Sequence, residues 1–287
     1  MRNPVFSLAD MISGFAVDDV LFADAYQASA DGERALMKTC IARLHDWYGP
    51  RKDTAGQVGT SWRGGFDSLR RFEPVDFALV LFDEALVSPA RLLAALTPAA
   101  ACGVGQILAV RVGGKGAWAR SLLTGMELAG QELVADMPRK RVVGLLEELA
   151  ALGASGAVVD LCAERVACPE ASRIACFRPF FDGAAAVFLV DEAAFDLDAL
   201  AFAHPDAAFT VFGADASLPA GFVRGGDSSE AFLDAVRDVA FAPASLTGKA
   251  LDRARLVLGP GQEGCWVWPG LHPEFFLFHR TAWTIGD

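Results

Sequence analysis

The run Phe77-Ala-Leu-Val-Leu-Phe82 constrains the chain most, because six consecutive apolar residues suit a strand buried on both faces of a parallel sheet. Strand and helix patterns then alternate. A helix from Pro89 to about Ala101 precedes a strand at Ile107–Val112, and a helix from about Trp118 to Gly130 precedes a short strand at Glu132–Ala135. Arg139 to Leu152 is predicted as a helix and Ala157–Leu161 as a strand. Ser88-Pro89 is a good helix entry, since the missing proline N–H costs nothing in the first turn. A second block repeats the alternation: strand Ala185–Val190, helix Leu197–His204, strand Phe209–Phe212, helix Ser228–Ala240 and strand Leu256–Leu258. Such alternation predicts an α/β fold with Rossmann-like open, mainly parallel sheets.

The flanking regions read differently. Residues 8–47 are helical in pattern, Gly49-Pro50 closes them, and the polar run Arg51 to Gly65 reads as a loop or arm. The last 25 or so residues read as irregular, being rich in aromatics, Gly and Pro. Leu92 to Val110 approaches membrane-spanning length. It is interrupted by Pro98, Gly103, Gly105 and Gln106 and flanked by Arg91 and Arg111, so it reads as helix, turn and strand. Met1-Arg-Asn-Pro-Val5 lacks the apolar core of a signal peptide, and a cytoplasmic location is the expectation. A net charge of −11 argues against a nucleic-acid surface, which needs clustered Lys and Arg. The six cysteines (Cys40, Cys102, Cys162, Cys168, Cys176, Cys265) form no CxxC pair and read as free buried thiols.

Several stretches resemble histidinol dehydrogenases, of the aldehyde dehydrogenase-like superfamily. Ser88 to Val110 is similar to the helix and strand that open that family's nucleotide domain, and Leu122-Leu-Thr-Gly-Met-Glu-Leu-Ala-Gly130 to its next helix. In order along the chain, Ala186-Val-Phe-Leu-Val-Asp-Glu192, Asp196 to His204, Glu230 to Leu246 and Gly264-Cys-Trp-Val-Trp-Pro-Gly-Leu-His-Pro273 continue the resemblance. It implies two Rossmann-like subdomains: a discontinuous parent unit of residues 1–87 plus 182–287, and an inserted nucleotide-domain-like unit of residues 88–181. It also implies a ligand cleft between them.

At the family's functional positions the chain departs. Where a Gln and a His bind metal, Ala201 and His204 stand; the acid–base pair Glu-His aligns with Ala244-Ser245; the metal-binding Asp aligns with Cys265. His272 aligns with the substrate-contacting His, and the family's small C-terminal domain has no counterpart before Asp287. Alanine has no titratable group, and serine exchanges no proton near neutral pH without a base beside it. The resemblance thus implies a pseudoenzyme that binds a nucleotide or small metabolite.

A rival expectation is an NAD-dependent oxidoreductase rebuilt around Cys265, His272 and His204. His204 and Cys265 are the candidate zinc ligands within it, but one His without convergent partners makes no site, and zinc is not expected. Read on their own, His204 is a polar helix terminus and Cys265 a buried thiol beside two tryptophans. Gly113-Gly114-Lys115-Gly116 is the candidate cofactor loop for NAD, although its spacing matches no phosphate-loop motif and a plain strand–helix connection explains it too. Gly261-Gln-Glu-Gly-Cys265 echoes the sequence around an aldehyde dehydrogenase nucleophile, in the wrong part of the chain. The aromatic end (Trp266, Trp268, Phe275, Phe276, Phe278, Trp283) reads as core, or as a homo-oligomer contact in a third, structural-subunit reading.

Overall fold

A computed structural model of the chain describes residues 6–49 and 54–285. The expectation about the first five residues lies outside them. In chain order the elements begin with helices α1 (Leu8–Met11), α2 (Asp19–Ala28) and α3 (Asp31–Tyr48), then strands β1 (Gly56–Trp62), β2 (Phe66–Pro74) and β3 (Phe77–Phe82). Next come α4 (Pro89–Ala101), β4 (Ile107–Val112), α5 (Arg120–Leu128), β5 (Leu133–Met137), α6 (Arg139–Ala151), β6 (Gly156–Asp160) and β7 (Ile174–Phe177). The second block holds β8 (Ala184–Leu189), α7 (Leu197–Ala203), β9 (Ala208–Gly213), β10 (Val223–Gly226), α8 (Ser229–Ala235) and β11 (Val239–Phe241). It continues with α9 (Ala244–Leu251) and β12 (Leu256–Leu258), and a 3-10 turn at Pro273–Phe276 leads into β13 (Leu277–Ile285).

The strands form two parallel five-stranded sheets, β5-β4-β3-β6-β7 and β10-β9-β8-β11-β12, and an antiparallel sheet β1-β2-β13. The two parallel sheets with their helices are the Rossmann-like subdomains expected from the alternating pattern. Strand β3 is buried along its whole length at the centre of the first sheet, as its unbroken apolar run requires. The first sheet therefore includes Phe77–Phe82, which precedes residue 88 in the chain. Leu92 to Val110 divides into α4, a turn and β4, and no helix among the described residues is long and apolar enough to cross a membrane.

Four local expectations are corrected. Arg51 to Gly65 was expected to be a loop, but its described part holds β1 and the turn of a hairpin with β2. The C-terminal stretch contains β13, which pairs with β2 from Leu277↔Pro74 to Ile285↔Phe66. A strand partner distant in sequence, invisible to local pattern, orders both segments. The helix expected over Ser228–Ala240 stops at Ala235, because Val239-Ala-Phe241 is a fully buried apolar run that enters the second sheet between β8 and β12. Finally, Cys168 and Cys176 form a disulfide rather than free thiols, joining the loop after β6 to strand β7. Cys40, Cys102, Cys162 and Cys265 are buried and form no disulfide among the described residues.

The cores explain how the two units sit. One core lies on the outer face of the first sheet, where Leu8 and Ile12 pack with α6 residues Val142, Leu145 and Leu149. Another lies under α8 and α9 on the second sheet, around Phe232. The largest is shared: it joins β3 and α3–α5 to Val187, Phe209 and Phe241 of the second sheet, through Trp266 and Trp268. Where sequence alone suggested an open cleft between the units, much of the junction is packed core.

Candidate functional site

Three short segments meet at this junction. Ser88 caps α4 by accepting from the Arg91 amide at 3.2 Å, and its hydroxyl donates to the Ala203 carbonyl at 2.6 Å, at the end of α7. Next to Ala203, His204 is the C-cap of α7 and is only 1% exposed. Its Nε2 lies 3.2 Å from the Glu263 carbonyl and its Nδ1 3.4 Å from Ser88 Oγ. A carbonyl can only accept, so Nε2 carries the proton. The single Ser88 hydroxyl proton is spent on Ala203, and the Nδ1 contact is the weaker of the two. Burial, and then the nearby Arg91 charge, depress the His204 pKa to about 3, against smaller raising effects from the Glu263 and Cys265 backbone.

Arg91 is the second buried group. It pairs with Asp206, and its guanidinium stacks 4.8 Å from the Phe181 ring centroid and 5.8 Å from that of Trp266. Its carbonyl accepts from Trp268 Nε1 at 3.0 Å. Burial lowers its pKa to about 10, which leaves it charged at neutral pH. Among the described residues, Arg91 Nε and Trp266 Nε1 are buried without a hydrogen-bond partner. Sequence reading noted Arg91 only as a flank of an apolar stretch. A charge at the start of a helix that is otherwise almost wholly apolar was the available signal that it needs a buried partner.

Of the residues named for chemistry, His204 meets Cys265 only through the Cys265 backbone. His204 is enclosed in the core, His272 is exposed ahead of the 3-10 turn, and the Cys265 thiol is hydrogen-bonded to Cys40 of α3. Among the described residues no group of three or more His, Cys, Asp or Glu side chains could hold a metal ion. A rebuilt centre of Cys265, His272 and His204 in its zinc form therefore lacks a ligand cluster. Zinc does not fit here, since among the described residues His204 belongs to no cluster of three ligand-type side chains and its ring is walled by Phe209, Phe241 and Trp266. Ala201 is half-buried, while Ala244 and Ser245 are exposed in the first turn of α9.

The candidate cofactor loop is also engaged. Glu84 Oε1 accepts from the amides of Lys115 at 2.7 Å and Gly116 at 2.9 Å, so a carboxylate of the chain occupies the anion-binding backbone. These two bonds hold the Glu84 pKa below the usual carboxylate range. Arg111 Nη1 donates to the Gly116 and Ala117 carbonyls at 3.0 and 3.3 Å, while its guanidinium pairs with Asp136 and stacks 4.3 Å from the Trp118 ring. A Cβ at Gly114 would overlap the Arg111 side chain, so glycine there permits the close approach. The pyrophosphate of NAD finds no free amides among this pair. Glu84→Ala is expected to speed hydrogen exchange at Lys115 and Gly116 while leaving the unfolding midpoint unchanged; native-state exchange checks it.

A hollow of about 570 Å³ lies between α3 and the edge of the second sheet. Leu44, Trp47, Leu251, Leu256 and Val267 make its apolar walls, Cys265 and Trp266 border it, and Arg43 and Gln262 add polar groups. Trp47 and Leu251 are exposed at 69% and 57%, which marks the mouth as apolar. No sequence pattern pointed to it, because its walls come from three distant segments.

The fold is similar to that of histidinol dehydrogenase from Elizabethkingia anophelis, with a TM-score of 0.56 at 13% identity over 95% of this chain and 77% of that one. Succinate-semialdehyde dehydrogenase from Burkholderia pseudomallei aligns at a TM-score of 0.47 and 11% identity, over 93% of this chain and 83% of that one. The former carries the fold assignment. No protein-family model matches the sequence, and no curated protein is similar to it in sequence.

Proposed function

We propose that the chain is a histidinol dehydrogenase-like pseudoenzyme, which keeps the scaffold and holds a small metabolite without performing the oxidation. The state of His204 carries this reading. It is the metal-ligand position at which the chain keeps a histidine, and it is buried with its pKa near 3. A metal ligand needs partners that converge on it, and among the described residues His204 belongs to no group of three or more His, Cys, Asp or Glu side chains that could hold an ion. The acid–base positions, Ala244 and Ser245, offer no titratable side chain. The hollow beside α3 supports the binding half of the proposal: its volume suits a small molecule, and its walls favour an apolar body with a polar group near Arg43 or Gln262.

The test is NAD-dependent oxidation of histidinol and related amino alcohols by purified protein with added zinc. No turnover above background is expected. Rates on the order of 1 s⁻¹ or faster, ordinary for enzymes, overturn the proposal.

A structural-subunit role is the second reading, favoured by the exposed face of the β1-β2-β13 sheet. Most of the aromatic end is spoken for, since Trp266, Trp268 and Phe276 are buried in the shared core. Trp283 and Ile285 instead stay 73% and 83% exposed. Trp62 stacks on Phe66 at 5.7 Å and Phe66 meets Trp283 at 5.1 Å, forming an aromatic row across three strands. Under this reading a second copy covers the row. Sedimentation velocity should then show a dimer that dissociates in Trp62→Ser/Trp283→Ser; a wild-type monomer at all concentrations removes the homo-oligomer.

A further inference from the structure

Two of the buried free cysteines touch, and the function proposed above gives neither of them any chemistry. Cys40 lies in the third turn of α3 and is fully buried; Cys265 lies in the segment that crosses from the second sheet back over α3 and is 5% exposed. Their side chains are hydrogen-bonded, and the Trp266 backbone also bonds Cys40. The segment is held close: a Cβ at Gly264 would sit 3.2 Å from the Leu36 side chain, one turn before Cys40. Packing thus fixes the approach of the two thiols. Cys265 also borders the hollow of about 570 Å³, so one member of the pair has a route to small solutes while the other is sealed behind it.

We propose that Cys40 and Cys265 are a redox-active dithiol, in which a peroxide entering the hollow oxidises Cys265 and Cys40 then closes an intramolecular disulfide. The asymmetry of the site assigns the roles. The Cys40 thiol hydrogen bond, and secondarily the Arg43 charge, draw the Cys265 pKa down, whereas the same bond together with burial pushes Cys40 up. With Cys40 sealed behind it, the attacking group is Cys265, which borders the hollow. Its sulfur bonds to one peroxide oxygen as the O–O bond breaks, giving a sulfenic acid and, after protonation of the leaving oxygen, water. Cys40 sulfur then attacks the Cys265 sulfur; the S–S bond forms, the S–O bond breaks, and the Cys40 proton leaves with the hydroxyl as a second water. Both sulfurs are oxidised and peroxide is reduced. The product ties α3 to the segment carrying Trp266 and Val267, fixing two walls of the hollow against each other.

The test treats the full chain with a stoichiometric amount of hydrogen peroxide, alkylates it under denaturing conditions and maps its peptides without reduction. The expected result is a peptide pair joined through Cys40 and Cys265, with both sites lost to alkylation and an intact mass lower by about 2 Da, the two thiol hydrogens. Cys265→Ser should abolish the mass loss, and Cys40→Ser should leave a Cys265 sulfenic acid that dimedone traps. The wild-type map needs no variant to fold and decides the matter alone. Full alkylation of Cys40 and Cys265 after peroxide, or their separate over-oxidation without a joined peptide, overturns the proposal. The Cys168–Cys176 disulfide is already formed, and its linked peptide is the internal control.

Discussion

Asp206→Ala is expected to destabilise the fold by about 3–5 kcal/mol, more than Arg91→Met at the same ion pair. The asymmetry comes from burial. The Arg91 side chain is 7% exposed and that of Asp206 22%, so removing the aspartate strands a guanidinium in the core. Its remaining neighbours are the Phe181 and Trp266 rings, which supply cation–π attraction worth about 2 kcal/mol when desolvated, less than a lost buried counter-charge. Arg91→Met instead removes the expensive charge and keeps an apolar stem against the same rings. Asp206 then turns to water, and the cost falls to about 1–2 kcal/mol. Urea unfolding of both variants at neutral pH checks the order. A larger loss for Arg91→Met would mean that the rings, and not the ion pair, hold α4 against α7.

The second large effect is a pH dependence from His204. Its folded pKa, about 3, is depressed below the ordinary histidine value of about 6.5, so the unfolded chain takes up a proton that the folded chain refuses. The contribution is fully present above about pH 6.5 and is lost progressively down to the folded pKa. The slope reaches about 1.4 kcal/mol per pH unit. Between pH 6.5 and 5 the loss is about 1–2 kcal/mol, in a window above the usual carboxylate range. Chemical unfolding across that window should show the slope in the wild type and its loss in His204→Gln, which does not titrate. Equal slopes in the two proteins would place His204 in contact with solvent, and the pseudoenzyme reading would lose its main support.

How far the sequence reached is clearest at single elements. The Phe77–Phe82 run, the Ser88-Pro89 helix entry and the helix–turn–strand reading of Leu92 to Val110 were legible because each depends on residues close together in the chain. Ser88 shows the limit too. Its role as a helix cap was local, but its bond to Ala203, 115 residues away, was not. Glu84 was passed over for the same reason: nothing in its neighbourhood signals that its carboxylate will fill the backbone nest at Lys115 and Gly116. Val239-Ala-Phe241 was absorbed into a helix because a three-residue apolar run fits either period, and only its two strand partners decide between them.

By itself, then, the sequence determined the alternation of buried strands and amphipathic helices. Hydrophobic period and side-chain chemistry are properties of the chain as written. The tertiary structure alone decided that β1, β2 and β13 form one sheet, that His204 is walled in rather than open, and that Cys40 meets Cys265. Each of these joins residues far apart in the chain. Burial and proximity depend on every element that packs at a point, and no local stretch of sequence contains that information.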